Sequence, residues 1–246
     1  MNNLNVRREE YKYYINHADT FLLREVLRKI MQLDTNANPI TKEYTVSSLY
    51  FDTVESHDLN DKLDGILKRK KHRVRIYNNN ITTIKLETKK REGTVISKDS
   101  VNISTEIANH LINNNYGNLR SITGASAQYE NILANLKSQG YRSRVIVEYD
   151  REAYYLPYGN IRITLDKNLR TYNACTDLLN LEKHPKSPIF LNNDQVLEIK
   201  FSEPLPPFLK NVLSSFFLVR CSISKYVLSQ RYTDYSARRD FLINPF

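Results

Sequence analysis

Residues 68–77 read KRKKHRVRIY, and seven of these ten are Lys, Arg or His. Side chains alternate across a β-strand. Arg69, Lys71, Arg73 and Arg75 therefore fall on one face, with Val74 and Ile76 on the other. Like charges in such a row repel, so the pattern asks for an anion to face them. An arginine fork matches phosphate oxygens two at a time, which makes phosphate the first expectation. The two-sided pattern recurs in "TIKLETK", "IRITLD" and "VLEIKF". Ile84 and Leu86 oppose Lys85, Glu87 and Lys89. Ile161, Ile163 and Leu165 oppose Arg162, Thr164 and Asp166. Leu197, Ile199 and Phe201 oppose Glu198 and Lys200. Glu-x-Lys itself repeats at Glu10/Lys12, Glu87/Lys89 and Glu198/Lys200.

A sheet with one face in water explains any single strand of this kind. A sheet closed into a barrel explains them together, with apolar faces outward under helices and charged faces lining a cationic interior. Such an interior is unstable empty and dry, so water or a polyanion must occupy it.

The elements that position these residues are mostly strands. Residues 6–15, 43–53, 68–77, 81–89, 144–156, 160–168 and 196–201 read as strands, with "NNN" (78–80) and "PYG" (157–159) as hairpin turns. A helix is expected over 19–33, capped by Asp19 or Thr20, since Leu22, Leu23, Val26, Leu27 and Ile30 share one face. Helical spacing returns at Ile107, Leu111 and Ile112. It appears again at Tyr129, Ile132, Leu133 and Leu136, where Gly140 suits a C-terminal cap. Pro206 and Pro207 open a helix carrying Phe208, Leu209, Val212, Leu213 and Phe216. A last helix covers 222–232, with Ser222 or Ser224 near its start. No repeat, long linker or low-complexity run interrupts the chain, so one domain over 1–246 is expected.

The chain has 246 residues, 41% of them hydrophobic and 26% charged, which is ordinary for a globular protein. A formal charge of +9 points to an anionic partner without choosing among nucleic acid, membrane surface and polyphosphate. Two cysteines, Cys175 and Cys221, make neither a disulfide framework nor a cysteine metal site. Its five histidines lack metal-ligand spacing. The N-terminus has no apolar leader segment, and no apolar run is long enough to span a membrane. A cytoplasmic protein is expected. Nucleic-acid binding ranks low, because no RNA-recognition motif is present and the cations sit on two-sided strands.

Taken in order, "EYKYYI" (10–15), "SLYFDT" (48–53), "KLDGILKRKKHRVRIY" (62–77), "LETKKREG…SK" (86–98), "YDREAY" (149–154), "RITLD" (162–166), "LEIKF" (197–201) and "SKY" (224–226) resemble a known family. It is that of the triphosphate tunnel metalloenzymes, and within them the polyphosphate polymerase (VTC, vacuolar transporter chaperone) domain. The resemblance implies an α+β fold built on a closed antiparallel eight-stranded β-barrel, with a cationic interior and helices packed outside. It implies transfer of the terminal phosphoryl of ATP to a growing polyphosphate chain, with Mn²⁺ or Mg²⁺. Lys12, Arg73, Arg75, Lys89, Lys98, Arg151 and Arg162 would bind phosphate, Lys225 would close one end, and Lys200 is a weaker addition. Glu198 matches the metal-binding glutamate. Relatives work with membrane proteins, so the resemblance allows a membrane-protein partner, at the inner face of a membrane.

One departure bears on the chemistry. The wider superfamily opens with Glu-x-Glu-x-Lys, whereas this chain has Arg8 in the first position. Loss of that carboxylate weakens a two-metal hydrolytic site and leaves Glu10 as the weaker second metal ligand. Phosphoryl transfer needs placement and charge neutralisation more than a protein nucleophile. Arg73, Arg75, Lys225 and Glu198 are therefore the residues expected to carry catalysis. Two alternatives stay open: hydrolysis of tripolyphosphate or nucleoside triphosphates, and a non-catalytic polyphosphate-binding module. Among the residues given plainer roles, Asp166 is expected to bridge Arg162, Glu87 to pair with a neighbouring arginine, and Lys85 to lie at the rim.

Overall fold

Alternation of apolar and charged residues builds the strands, and the helices cover the apolar faces. The structure is a computed structural model and describes residues 9–93, 95–119, 126–172, 175–190 and 192–243. Arg8 and the start of the first expected strand lie outside the described residues. The chain begins with β1 (Glu9–Ile15), α1 (His17–Ile30), β2 (Gln32–Leu33) and β3 (Tyr44–Asp52). Next come α2 (His57–Leu63), β4 (Lys68–Tyr77), β5 (Asn80–Glu92), β6 (Val95–Ile103), α3 (Thr105–Ile112) and α4 (Ala127–Ser138). It ends with β7 (Arg142–Leu156), β8 (Ile161–Tyr172), β9 (Lys186–Pro188), β10 (Gln195–Phe201), α5 (Pro207–Ser214) and α6 (Lys225–Ile243).

Hydrogen-bonded neighbours follow the order β1-β10-β8-β7-β3-β4-β5-β6, with β2 on β7 and β9 on β8. This is an antiparallel, sheet-rich α+β fold. The expected closure into an eight-stranded barrel is not found: among the described residues the ladder path has two ends, β1 and β6, and no ladder joins them. The end strands carry charges, Glu9 on β1 and Lys98 and Asp99 on the mostly exposed β6, the kind of edge that resists further pairing.

The chain divides into two compact units, residues 1–45, 149–169 and 190–224 in the first and the remainder in the second. In the first, Leu23 and Leu27 of α1 pack with Ile161, Ile163, Leu165, Leu197 and Ile199. In the second, Leu111 of α3 and Ile132, Leu133 and Leu136 of α4 cover Leu49, Val74, Ile76, Ile84 and Leu86. Each such leucine contributes roughly 1.5–3 kcal/mol by leaving water, so the apolar face of each strand is fixed and its charged face follows.

Several boundaries differ from the sequence expectation for local reasons. Asn16, not Asp19 or Thr20, caps α1, accepting from Asp19 N at 2.8 Å, while Asp19 accepts from Asn16 Nδ2 at 2.8 Å. The helix stops at Ile30, because Gln32 and Leu33 pair with Tyr155 and Tyr154 of β7. The β4–β5 turn is tighter than a three-residue loop: Asn78 and Asn79 take φ of +51° and +54°, as a two-residue hairpin turn requires. The last helix starts at Lys225 and runs to Ile243, well past residue 232.

Candidate functional site

In the second unit, strand register assembles the cations. Tyr50, Arg73, Glu87 and Ser100 face one another across β3, β4, β5 and β6. On one side of that row stand Ser48, Arg75, Lys85 and Asn102; on the other stand Lys71, Lys89 and Lys98. Glu87 is buried at the centre. Its Oε2 accepts from Arg73 Nε at 2.8 Å and lies 2.7 Å from Nη2, and Arg75 Nη1 is 4.0 Å away. Its Oε1 takes Lys98 Nζ at 2.5 Å and Ser100 Oγ at 3.3 Å. Burial pushes the Glu87 carboxyl up, but the charges of Arg73, Arg75 and Lys98 outweigh it and hold the pKa at about 2. Arg75 is aimed by Ser48, whose Oγ accepts from Nε at 2.9 Å. Lys225, at the first position of α6, belongs to the same unit and is buried.

The first unit carries a second charged face. Glu10, Lys200 and Arg162 stand in register across β1, β10 and β8, as do Lys12, Glu198 and Thr164. Lys12 Nζ is 3.2 Å from Glu10 Oε1 and 3.5 Å from Glu198 Oε1, and donates to Ile223 O at 3.3 Å. Lys200 Nζ is 3.3 Å from Glu198 Oε2. Arg151 makes a two-pronged pair with Asp166, Nε to Oδ1 at 2.6 Å and Nη2 to Oδ2 at 2.7 Å, with Glu198 Oε2 at 3.9 Å. Burial works against the Arg151 charge, but the Asp166 carboxylate and its neighbours hold its pKa well above the ordinary arginine value.

Every expected site residue but Lys225, which starts α6, is thus on a strand with a charged face. Arg73, Arg75, Lys89 and Lys98 share one face; Lys12, Glu10, Glu198, Lys200 and Arg151 share the other. Arg162 is in register with Lys200, but its guanidinium is taken by Asp34 at 2.5 Å and by the Tyr44 hydroxyl at 3.1 Å. Asp166 bridges Arg151, not Arg162, because Arg162 is already held by Asp34. Glu87 does pair with an arginine, as its strand face implied. Tyr50 went unremarked, although Ser48-x-Tyr50-x-Asp52 is a period-two polar row that marks it as a face residue.

A family model for the VTC domain matches residues 7–233, a span that contains every one of these residues. The chain belongs to the VTC domain family. No curated protein matches it in sequence. Among solved structures, the VTC domain described here is similar in fold to a candidate adenylyl cyclase from Hippeastrum, for which a dominant triphosphatase activity is described. That likeness has 16% identity and a TM-score of 0.52, covering 91% of this chain and 96% of the other. A candidate adenylate cyclase from Bacillus halodurans is similar with 12% identity and a TM-score of 0.50, over 88% of this chain and 95% of that one.

The tunnel metalloenzymes imply a divalent cation. Among the described residues no three His, Cys, Asp or Glu side chains cluster as a metal cage. The oxygen donors on the charged face of the VTC domain's first unit still fit a hard cation. Glu198 and Glu10 lie on adjacent strands, and the buried Thr164 Oγ1, in register with Glu198, has no hydrogen-bond partner. Mg²⁺-like ions are commonly held by one or two carboxylates plus substrate phosphates rather than by an all-protein cage.

Proposed function

We propose that this VTC domain is a metal-dependent polyphosphate polymerase, taking the terminal phosphoryl of ATP onto an inorganic polyphosphate chain. The observation that carries the reading is the convergence of Arg73, Arg75 and Lys98 on the single buried carboxylate of Glu87, an excess of cations suited to several phosphate charges. Lys71, Lys85 and Lys89 extend the same face. A linear polyanion matches that row better than a compact one.

An oxygen of the chain's terminal phosphate attacks the γ-phosphorus of ATP, the bond from that phosphorus to the bridging oxygen breaks, and ADP leaves. The attacking phosphate is already ionised, so no protein base is needed. The barrier is repulsion between two polyanions, which fixed cations lower by neutralising charge in place. Arg73, Arg75, Lys89, Lys98 and Lys225 of one unit and Lys12, Arg151, Arg162 and Lys200 of the other are assigned to phosphate. Glu198, with Glu10 beside it, would hold Mn²⁺ or Mg²⁺, which supplies further charge neutralisation when bound.

Purified protein incubated with ATP and Mn²⁺ or Mg²⁺ should yield long chains on a polyphosphate-stained gel, absent in Arg73→Ala and Glu198→Gln. Free phosphate without chains would replace this reading with hydrolysis. Binding without turnover would make the domain a polyphosphate-binding module. Among the described residues no helix is long and apolar enough to cross a membrane. A membrane-protein partner is part of the proposal and is tested by co-purification from detergent-solubilised membranes.

A further inference from the structure

The start of α6 is fixed by contacts that the assigned phosphate ligands do not use. Tyr226 follows Lys225, is buried, and is gripped at both ends. Its hydroxyl donates to Asp52 Oδ2 at 2.5 Å. Asp52 is itself fixed, accepting from the backbone N–H groups of Thr53, Asp58 and Leu59 at 2.8, 2.9 and 3.0 Å. The Tyr226 ring stacks on Tyr50, with centroids 5.1 Å apart and planes 22° from parallel. Tyr50 and Asp52 are two residues apart on β3 and so project from one face. On that face Tyr50 stands opposite Arg73, whose Nη1 donates to the Tyr50 hydroxyl at 3.0 Å.

A tyrosine hydroxyl can donate one hydrogen bond while accepting another. Tyr50 accepts from Arg73, and among the described residues its own proton has no acceptor. A largely buried donor left unspent is costly, and an anion lying along Arg73 and Arg75 offers the missing acceptor. We propose that Tyr50 is a phosphate-binding residue: its hydroxyl takes a hydrogen bond from Arg73 and gives one to a phosphate oxygen, while Tyr226 holds the ring in place. This deepens, and rests on, the reading of the face as a phosphate site.

The charges around Tyr50 give the inference a pH signature. Burial pushes the phenol up, but Arg73, Arg75 and Lys71 of β4 outweigh it and bring it down to about 7. Glu87 of β5 lies behind Arg73. Asp52 on β3 is engaged by Tyr226 of α6, Lys225 precedes that tyrosine, and Asp58 of α2 lies beside Asp52. Above about pH 7 the free protein therefore holds a phenolate, which repels phosphate and has no proton to give. Binding then requires uptake of a proton, so affinity falls as pH rises through that value.

The test is calorimetric binding of tripolyphosphate by the full chain between pH 6 and 9, with Tyr50→Phe and Arg73→Ala alongside. Tyr50→Phe is expected to bind about tenfold more weakly at pH 6, with the gap to wild type closing near pH 8 and the order reversing by pH 9. The ligand titrates too, so the difference between the two curves is what reads Tyr50. Equal affinity at pH 6, with Arg73→Ala weakened, overturns this inference and leaves the phosphate site standing. Arg73→Ala binding like wild type overturns the site itself. Should Tyr50→Phe fail to fold, sulfate, which carries no titratable proton in this range, replaces tripolyphosphate as the probe, and its wild-type binding heats in buffers of different ionisation enthalpy decide at pH 8. Net proton uptake supports the inference, and release or no exchange overturns it.

Discussion

Arg73 meets Glu87 through two nitrogens on one oxygen, Nε at 2.8 Å and Nη2 at 2.7 Å from Oε2. The carboxylate is buried and holds the cations of its face in the absence of phosphate. Its pKa is depressed to about 2, below the ordinary 4.5, so its stabilising contribution is full above about pH 4.5 and is lost as pH falls through about 2. Glu87→Gln should cost about 3–5 kcal/mol at pH 7, the usual result of leaving one partner of a buried ion pair alone. Urea melts at pH 7, 4 and 2.5 should show the gap to wild type narrowing at the lowest pH. A gap independent of pH would show that the carboxylate's charge is not what stabilises the face.

Asp166 separates two roles for a carboxylate beside Arg151. Its two oxygens are taken by the Arg151 fork at 2.6 and 2.7 Å, and Glu198 at 3.9 Å is a poor substitute. Asp166→Asn should lose about 3 kcal/mol, roughly 6–12 °C in melting temperature for a chain of this size. Its Mn²⁺ requirement for chain synthesis should stay where wild type has it, whereas Glu198→Gln should make no chains at any Mn²⁺ concentration. A shifted Mn²⁺ requirement in Asp166→Asn would make Asp166 a metal ligand.

The parts of this architecture that could be read from sequence are those governed by a two-residue period. β4, β8 and β10 each place an apolar row against a helix-covered core, and that burial fixes which way Arg73, Arg162 and Glu198 face. β6 was not expected as a strand. It is an edge strand whose residues are mostly exposed, so no apolar alternation marks it. α2 was missed for a related reason, since it buries only Asp58 and Leu59. Pairings across long separations were also out of reach. Arg162 and Asp34 are 128 positions apart, and Tyr226 and Asp52 are 174 apart. Alternation tells which face a charge is on, but not which partner on another element reaches it.

Asp58 should make stability fall with rising pH. It is buried, accepts from the Tyr141 hydroxyl at 2.9 Å through Oδ1, and leaves Oδ2 without a partner. Burial first, and then the charge of Asp52, push its pKa from 3.8 to about 7. The folded state therefore favours the protonated acid, and a penalty grows as pH rises from about 4 to about 7, reaching at most about 4 kcal/mol. Asp58→Asn, which keeps an acceptor for Tyr141, should gain stability over wild type across that window and level off above it. A constant difference between pH 4 and 8 in denaturant melts would show that Asp58 titrates normally.

Lys71, Lys89 and Lys98 stand directly opposite one another across β4, β5 and β6, an arrangement that works against the sheet. Like charges so placed cost a few tenths to about 1 kcal/mol per pair, and folding alone would not select them. Glu87, which takes Lys98, offsets part of that cost, and a phosphate chain along the row would offset more of it. Lys89→Gln should accordingly raise the melting temperature slightly at low salt and weaken tripolyphosphate binding several-fold. Both differences should shrink at 0.5 M salt, where charges are screened within a few ångströms. A variant that is both less stable and an equally good binder would mean that Lys89 supports the sheet and takes no part in the phosphate site.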